Sequence, residues 1–463
     1  MRNMRHMRSR RPAAAVSAAL AAALATGACT AGAVGGGAAS GPPSEGTGTG
    51  TDCVRVVDGN TGKKTDACLP LAPEQDRVDR GTPVFSRPTV ITNPLHPSSE
   101  VQQVIYGGQV DGKPFRTEFT LLPDIKTVNV NGEEIRARTL QYTAFSDGRI
   151  HEVALDWFAQ ADDGSVWYLG EDVFNYENGV VADTGGTWLA GKNGPPAMIM
   201  PAEPRTGDVY RPENAPEVVF EEVTVKAVGQ TVPGPYGPVK GAMTVTELHM
   251  DGTREDKVFA PGYGEFSTGR PGADLEAVSL AVPTDVTPGP VPAELAALSA
   301  AVRAAHAGAT DATVAKARAA WDTYRAADRV PQLLIRQMDR DLDSLTAAVK
   351  ARDAALVRGA VLRVAQNDLD LHLRYEPLAA VEADRMELWA RQSTLDGAAR
   401  DAGAIAGDVT SLELTWDRVR HDTPPAQADR IDTSLRALRD AADRKDTSLA
   451  QQAAASLTSA LSG

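Results

Sequence analysis

The sequence predicts an α+β fold in separate domains: an antiparallel curved β-sheet or half-barrel, then an all-α helical-hairpin bundle. Three observations predict it. Aromatic residues are sharply divided, with all nine Phe, seven of nine Tyr and three of six Trp lying between residues 80 and 285. Asn-Gly and Asp-Gly pairs recur through that stretch, at Asp111-Gly112, Asn131-Gly132, Asp147-Gly148, Asp163-Gly164, Asn178-Gly179 and Asp251-Gly252. Such pairs supply the positive φ angles of tight hairpin turns. After residue 290 the chain becomes rich in Ala, Leu, Arg and Asp, and Pro283, Pro288, Pro290 and Pro292 separate the two regions. A run of prolines this dense continues neither a helix nor a central strand.

Taken in order, residues 1–28 read as a secretory signal. Arg2, Arg5, Arg8, Arg10 and Arg11 give a positive start, and Ala13 to Leu24 an apolar stretch too short to span a bilayer. Thr26-Gly27-Ala28-Cys29 then resembles a bacterial lipobox, with Thr26 where that pattern prefers Leu. Cys29 is the expected lipidated residue, which anchors the protein to the extracytoplasmic face of the cell membrane. Removing residues 1–28 takes away five arginines and no acid, moving the net charge from −14 to −19. Residues 29–52 follow as a lipid-anchored flexible tether of Gly, Ala, Ser, Thr and Pro. In 53–79, Cys53 and Cys68 flank two turn signals and predict a disulfide-closed segment in an oxidising compartment.

Residues 80–282 form the predicted β domain. In 151–159, His151, Val153, Leu155, Trp157 and Ala159 share one face, and Glu152, Ala154, Asp156 and Phe158 the other. Residues 136–144, 165–169, 218–228 and 242–250 also read as strands. Consecutive hairpins predict a meander that curls into an incomplete barrel. The run from Trp157 through Trp167-Tyr168 and Gly170 to Asn178-Gly179, with Pro201 ahead of Gly207-Asp208 and with Tyr263-Gly264, resembles uncharacterised secreted actinobacterial lipoproteins. Their pattern is similar to curved-sheet lipoprotein carriers of the LolA/LolB type. That resemblance implies a concave face able to take an apolar ligand. Glu265 stands where an apolar residue is expected.

The linker spans 283–292 and the helical-hairpin domain 293–463. Leu342, Leu345, Ala348, Asp353, Leu356 and Ala360 repeat at an offset of 93 as Leu435, Leu438, Ala441, Asp446, Leu449 and Ala453. Asp311, Asp353, Asp401 and Asp446 are read as the starts of the second helices of four hairpins, since Asp is a good N-cap. Asp368-Leu-Asp-Leu-His372 and Leu388-Trp389 resemble an uncharacterised helical domain of secreted actinobacterial proteins, which brings no activity with it. The linker predicts two halves that unfold on their own.

The chain is long enough for ordinary cores, with 463 residues and 42% hydrophobic composition, and its pI near 5.1 argues against a nucleic-acid partner. No catalytic motif survives inspection. His151-Glu152 lacks the second His of a zinc protease, and Asp339, Asp341 and Asp343 lack the Gly and Glu of a calcium loop. Asp162-Asp163 and Glu171-Asp172 read as turn residues. Asp368 and His372 share a helix face and reach one metal only with help from another helix. Trp157, Trp167, Tyr168, Phe174 and Trp188 are the candidate lining of an apolar hollow, against the alternative that they pack a core. The functional expectation is a non-enzymatic lipoprotein without cofactors, whose β domain binds an apolar ligand or envelope component. The alternative is a structural or protein-interaction lipoprotein with no ligand.

Overall fold

The computed structural model describes residues 53–59 and 61–462; the predicted signal, Cys29 and the tether lie outside the described residues. Strands β1 (Arg55–Val57) and β2 (Lys64–Cys68) form an antiparallel hairpin. The Cys53–Cys68 disulfide closes it, as the cysteine spacing predicts, with the Cα atoms 5.3 Å apart. Val54 and Leu69 of this unit pack on Phe220 and Leu248 of the sheet.

A first meander runs through β3 (Gln103–Val110), β4 (Lys113–Val130), β5 (Glu133–Ser146), β6 (Arg149–Gln160) and β7 (Val166–Glu177). Short strands β8 (Val180–Asp183), β9 (Trp188–Leu189) and β10 (Ala197–Met200) fold back on β7. A second meander comprises β11 (Val209–Ala215), β12 (Val219–Gly234), β13 (Gly237–His249), β14 (Arg254–Ala260), β15 (Gly264–Gly269) and β16 (Leu275–Val282). β16 pairs with β3, which joins both meanders into one 14-stranded antiparallel sheet with β10 and β11 at its ends. These ends meet without closing. Gly194 approaches β11 so closely that a Cβ there would lie 2.6 Å from the Asn214 carbonyl oxygen.

The turn chemistry explains the register. Asp111-Gly112, Asn131-Gly132, Asp147-Gly148 and Asn178-Gly179 adopt positive φ at both residues, as two-residue hairpins require. Cross-strand partners share a face. Glu152, Ala154 and Asp156 therefore share the inner face with their partners Tyr142, Leu140, Val173 and Glu171. Val153 and its partners Thr143 and Phe174 take the outer face.

The helical half holds α1 (Ala293–Ala307), α2 (Asp311–Ala327), α3 (Gln332–Ala351), α4 (Ala354–His372), α5 (Leu378–Ala398), α6 (Ala402–Val419), α7 (Pro425–Asp443) and α8 (Thr447–Leu461). Consecutive helices pair as hairpins. Asp353, Asp401 and Asp446 cap α4, α6 and α8 through their side chains, as predicted. Asp311 does not: Thr310 caps α2 in a reciprocal box with Thr313, and Asp311 is the first helical residue. Pro292, Pro331, Pro377 and Pro424 each precede the first helix of a pair.

The helices cover the outer face of the first meander. Phe145, Ile150 and Val153 belong to the same buried cluster as the helical core, and Phe145 stacks on Trp389 at 5.6 Å. Beside them lies a buried ion network of Arg116, Glu118, Asp370, Glu382, Arg385 and Arg418. The segment 283–292 also bonds both ways, with Asp285 accepting from Tyr263 and Thr287 N–H donating to Arg374 O. The expectation that each half unfolds alone meets this shared core. Alternation along a strand shows that two faces differ but not that the polar one is covered.

Candidate functional site

The inner face of the curled sheet divides into an apolar region and an acidic one. The apolar region is filled by the chain itself. Segment 80–102 enters the sheet and buries Ile91, Leu95 and His96 against it. His96 meets Phe158 at 4.6 Å, Phe158 stacks on Tyr168 at 4.6 Å, and Tyr168 meets Trp188 edge-on at 5.4 Å. Burial pushes the His96 imidazole down to about 4, so it packs as a neutral ring. Beside this stack remains a cavity of about 30 Å³ bordered by Val104, Tyr106, Phe119 and Phe259, room for about one water.

The five aromatics singled out from sequence are therefore dispersed. Trp157, Trp167, Tyr168 and Trp188 belong to this packed cluster. Trp157 carries Lys126 Nζ 4.0 Å from its ring centroid, and Trp167 Nε1 donates to Ser165 Oγ at 2.8 Å. Phe174 lies apart, against the helices. Of the five, Tyr168 faces the acidic region: its hydroxyl donates to Asp156 Oδ1 at 2.6 Å.

The acidic region gathers inward side chains from both meanders. β6 and β7 supply Glu152, Asp156 and Glu171. β11 to β16 supply Glu213, Glu221, Glu247, Glu255, Glu265 and Glu276, with His249 and Lys257 as the cations. Asp156 and Glu171 are fully buried, and Glu213, Glu221 and Glu247 nearly so. Glu171-Asp172, read from sequence as a turn, is mid-strand; its partner across the ladder, Asp156, turns Glu171 into the lumen. Glu265 likewise lies in β15 and faces Phe259 across the ladder.

Burial raises the proton affinity of these acids, and their mutual repulsion adds to it. Glu152 and Glu276 rise to about 8, and Asp156 and Glu265 to about 7. Desolvation leads in every case; the Tyr168 hydrogen bond opposes it at Asp156, and Lys257 opposes it at Glu265. Glu171 and Glu213 rise well above the usual range: burial leads in both, the Asp156 charge adds to it at Glu171, where a hydrogen bond with Glu213 opposes it, and the Glu221 and Glu171 charges add to it at Glu213. Both Glu171 oxygens and Glu213 Oε1 lack a conventional donor, so only a shared proton or an incoming cation makes this pair attractive. At the other end His249 is the exception in sign. Burial alone would lower it, but hydrogen bonds to Glu221 and Glu255 and the Glu247 charge raise it well above the usual value.

This acidic end opens to solvent. Glu213, Glu221, His249 and Glu255 line a cleft of about 410 Å³, rimmed by the β13–β14 and β15–β16 turns and by Lys64 of the disulfide hairpin. That volume suits a small ligand.

The remaining candidates resolve as structure. His151 is exposed while Glu152 faces inward, so they share no site. Asp341 is buried in ion pairs with Arg340 and Arg363, and Asp339 pairs with Arg318 and Arg325. Asp368 and His372 do meet a residue of another helix, Ser299, at 3.0 and 2.8 Å from its Oγ, and His372 Nδ1 lies 2.5 Å from Glu376 Oε2. The order Ser–His–Glu is that of a hydrolytic triad. However, Ser299 is 2% exposed and also donates to Leu295 O, so no substrate reaches its oxygen. The trio is a hydrogen-bonded core.

Sequence reading missed the lumen acids because a buried carboxylate and a surface one are spelled alike. The available signal was the alternation Glu247-x-His249 and Glu255-x-Lys257 on strands. Compared with known protein families and with curated proteins, the chain matches none.

Proposed function

We propose that the chain is a membrane-anchored, extracytoplasmic, non-enzymatic binding protein whose curled sheet takes a small cationic ligand at its acidic end. The likeness of its sequence pattern to secreted lipoproteins of the LolA/LolB type supports the setting. The ligand class departs from the apolar one that this likeness implies. The observation that carries the reading is the Glu171–Glu213 pair, buried together without a countercharge beside an open cleft. Such a pair stays attractive only by keeping a shared proton or by exchanging it for a bound cation, since an ionised buried carboxylate without either is costly. The helical half then serves as a surface for an envelope partner.

A second reading, a docking lipoprotein without ligand, is favoured by the plug at Ile91, Leu95 and His96. Thermal stability of the detergent-solubilised chain separates the two. Spermidine, lysine, Ca²⁺ and Zn²⁺ are tested against neutral and anionic analogues at pH 8, where ionised acids bind best. A ligand at 100 times its dissociation constant adds about 2.7 kcal/mol. Stabilisation by at least one cation alone supports binding; no cation-specific shift leaves the docking reading.

A further inference from the structure

We propose that the acidic end holds one divalent transition-metal ion of the zinc class, ligated by Glu221, Glu247 and His249. The proposal names the ligand of the cation-binding reading and rests on it. Glu221 and His249 are direct cross-strand partners on β12 and β13, and Glu247 is two residues before His249 on the same face. Two paired strands therefore fix all three side chains. One ligand atom from each lies within 4.8 Å of the others. His249 Nδ1 stands 3.2 Å from Glu221 Oε1, and Nε2 stands 3.7 Å from Glu247 Oε1 and 3.6 Å from Glu255 Oε2. Zinc bonds of about 2.0–2.2 Å set tetrahedral donors roughly 3.4 Å apart. An ion takes one imidazole nitrogen, so binding turns both carboxylates toward the same nitrogen and draws Glu247 Oε1 away from Lys257 Nζ, 2.7 Å from it.

A second observation points to the same place. The Tyr210 hydroxyl and Glu213 Oε1, on the neighbouring strand β11, are buried without hydrogen-bond partners. Both residues border a cavity of about 10 Å³ together with Glu221 and Glu247, room for a single ion or water. An imidazole among carboxylates selects the zinc class over calcium and magnesium, which prefer all-oxygen sites. Charge agrees in sign: the carboxylates of Glu221, Glu247, Glu255 and Glu265 gather around Lys257 and the imidazole, a surplus of acids that favours a cation. The open cleft, which Glu221 and His249 also line, is the entry path.

The test is zinc titration of the chelator-treated, detergent-solubilised full chain, with metal content measured per chain. The expected result is one zinc per wild-type chain, an affinity weakened roughly 100-fold or more by His249→Gln, and no change with His421→Gln on the helical half. Equal zinc affinity in His249→Gln, or no zinc on the folded wild type, overturns the site. If His249→Gln fails to fold, Co²⁺ on the wild-type chain decides: a tetrahedral visible spectrum supports the site, and an octahedral aquo-like spectrum overturns it. Failure of zinc while spermidine still stabilises the protein overturns the metal and leaves cation binding standing; failure of both overturns both.

Discussion

Arg116 of β4 grips both carboxylate oxygens of Asp370 on α4, with Nε 2.8 Å from Oδ2 and Nη2 2.5 Å from Oδ1, across 254 residues of chain. Arg385 Nη2 reaches the same Oδ1 at 2.9 Å, and Glu118, though burial pushes it up, is held well below its usual range by Arg385, Arg418 and Arg116. Three arginines and three acids thus neutralise one another where helices meet sheet. Such a network costs desolvation, and its worth lies in fixing one docking geometry.

Removing one partner leaves the others unbalanced. Asp370→Asn should lower stability by about 3–5 kcal/mol. Chemical denaturation checks this, and sheet and helix signals should lose stability together because the two halves share the buried cluster.

Limited proteolysis should cut at exposed residues 287–290. The two pieces should nevertheless remain together on gel filtration, held by the Phe145–Trp389 stack and the ion network. Fragments that separate without denaturant would show the interface to be weak.

Stability should fall as pH rises from mildly acidic to alkaline. Glu152 and Glu276, raised to about 8, and Asp156 and Glu265, raised to about 7, hold protons that the unfolded chain releases. Their contribution is full below the unfolded values, near 4, and drains as pH passes 7 to 8. Glu118 acts oppositely, with stability lost as pH falls below its unfolded value. The melting temperature should therefore peak near roughly pH 4–5 and decline toward about pH 8. Glu276→Gln, which keeps an acceptor for the Thr117 hydroxyl, should flatten that decline in calorimetry.

Cys29→Ser should move the protein from the membrane fraction to the medium or leave it unprocessed, measured by fractionation and intact mass. Mature protein still bound to membranes would exclude the lipid as anchor.

Much of the fold was legible because its signals are local. Asn131-Gly132 and Asp147-Gly148 encode hairpins through φ alone, and Asp353, Asp401 and Asp446 encode caps within four residues. Thr310 displaced Asp311 because both are good caps and only geometry chooses. The site was less legible because it is built from register. Glu221 and His249 are 28 residues apart and meet only once β12 and β13 pair, and Glu171 and Glu213 meet only once the sheet curls its ends together. The aromatics misled for a related reason: composition places them in the β half but cannot say that Ile91, Leu95 and His96 will fill the hollow beside them.

Native mass spectrometry of the protein extracted from its own envelope tests cation binding most directly. The wild-type chain should carry a bound cation, metal or amine, that is absent from the Glu171→Gln/Glu213→Gln variant. A wild-type chain carrying a lipid, or nothing, would contradict the account.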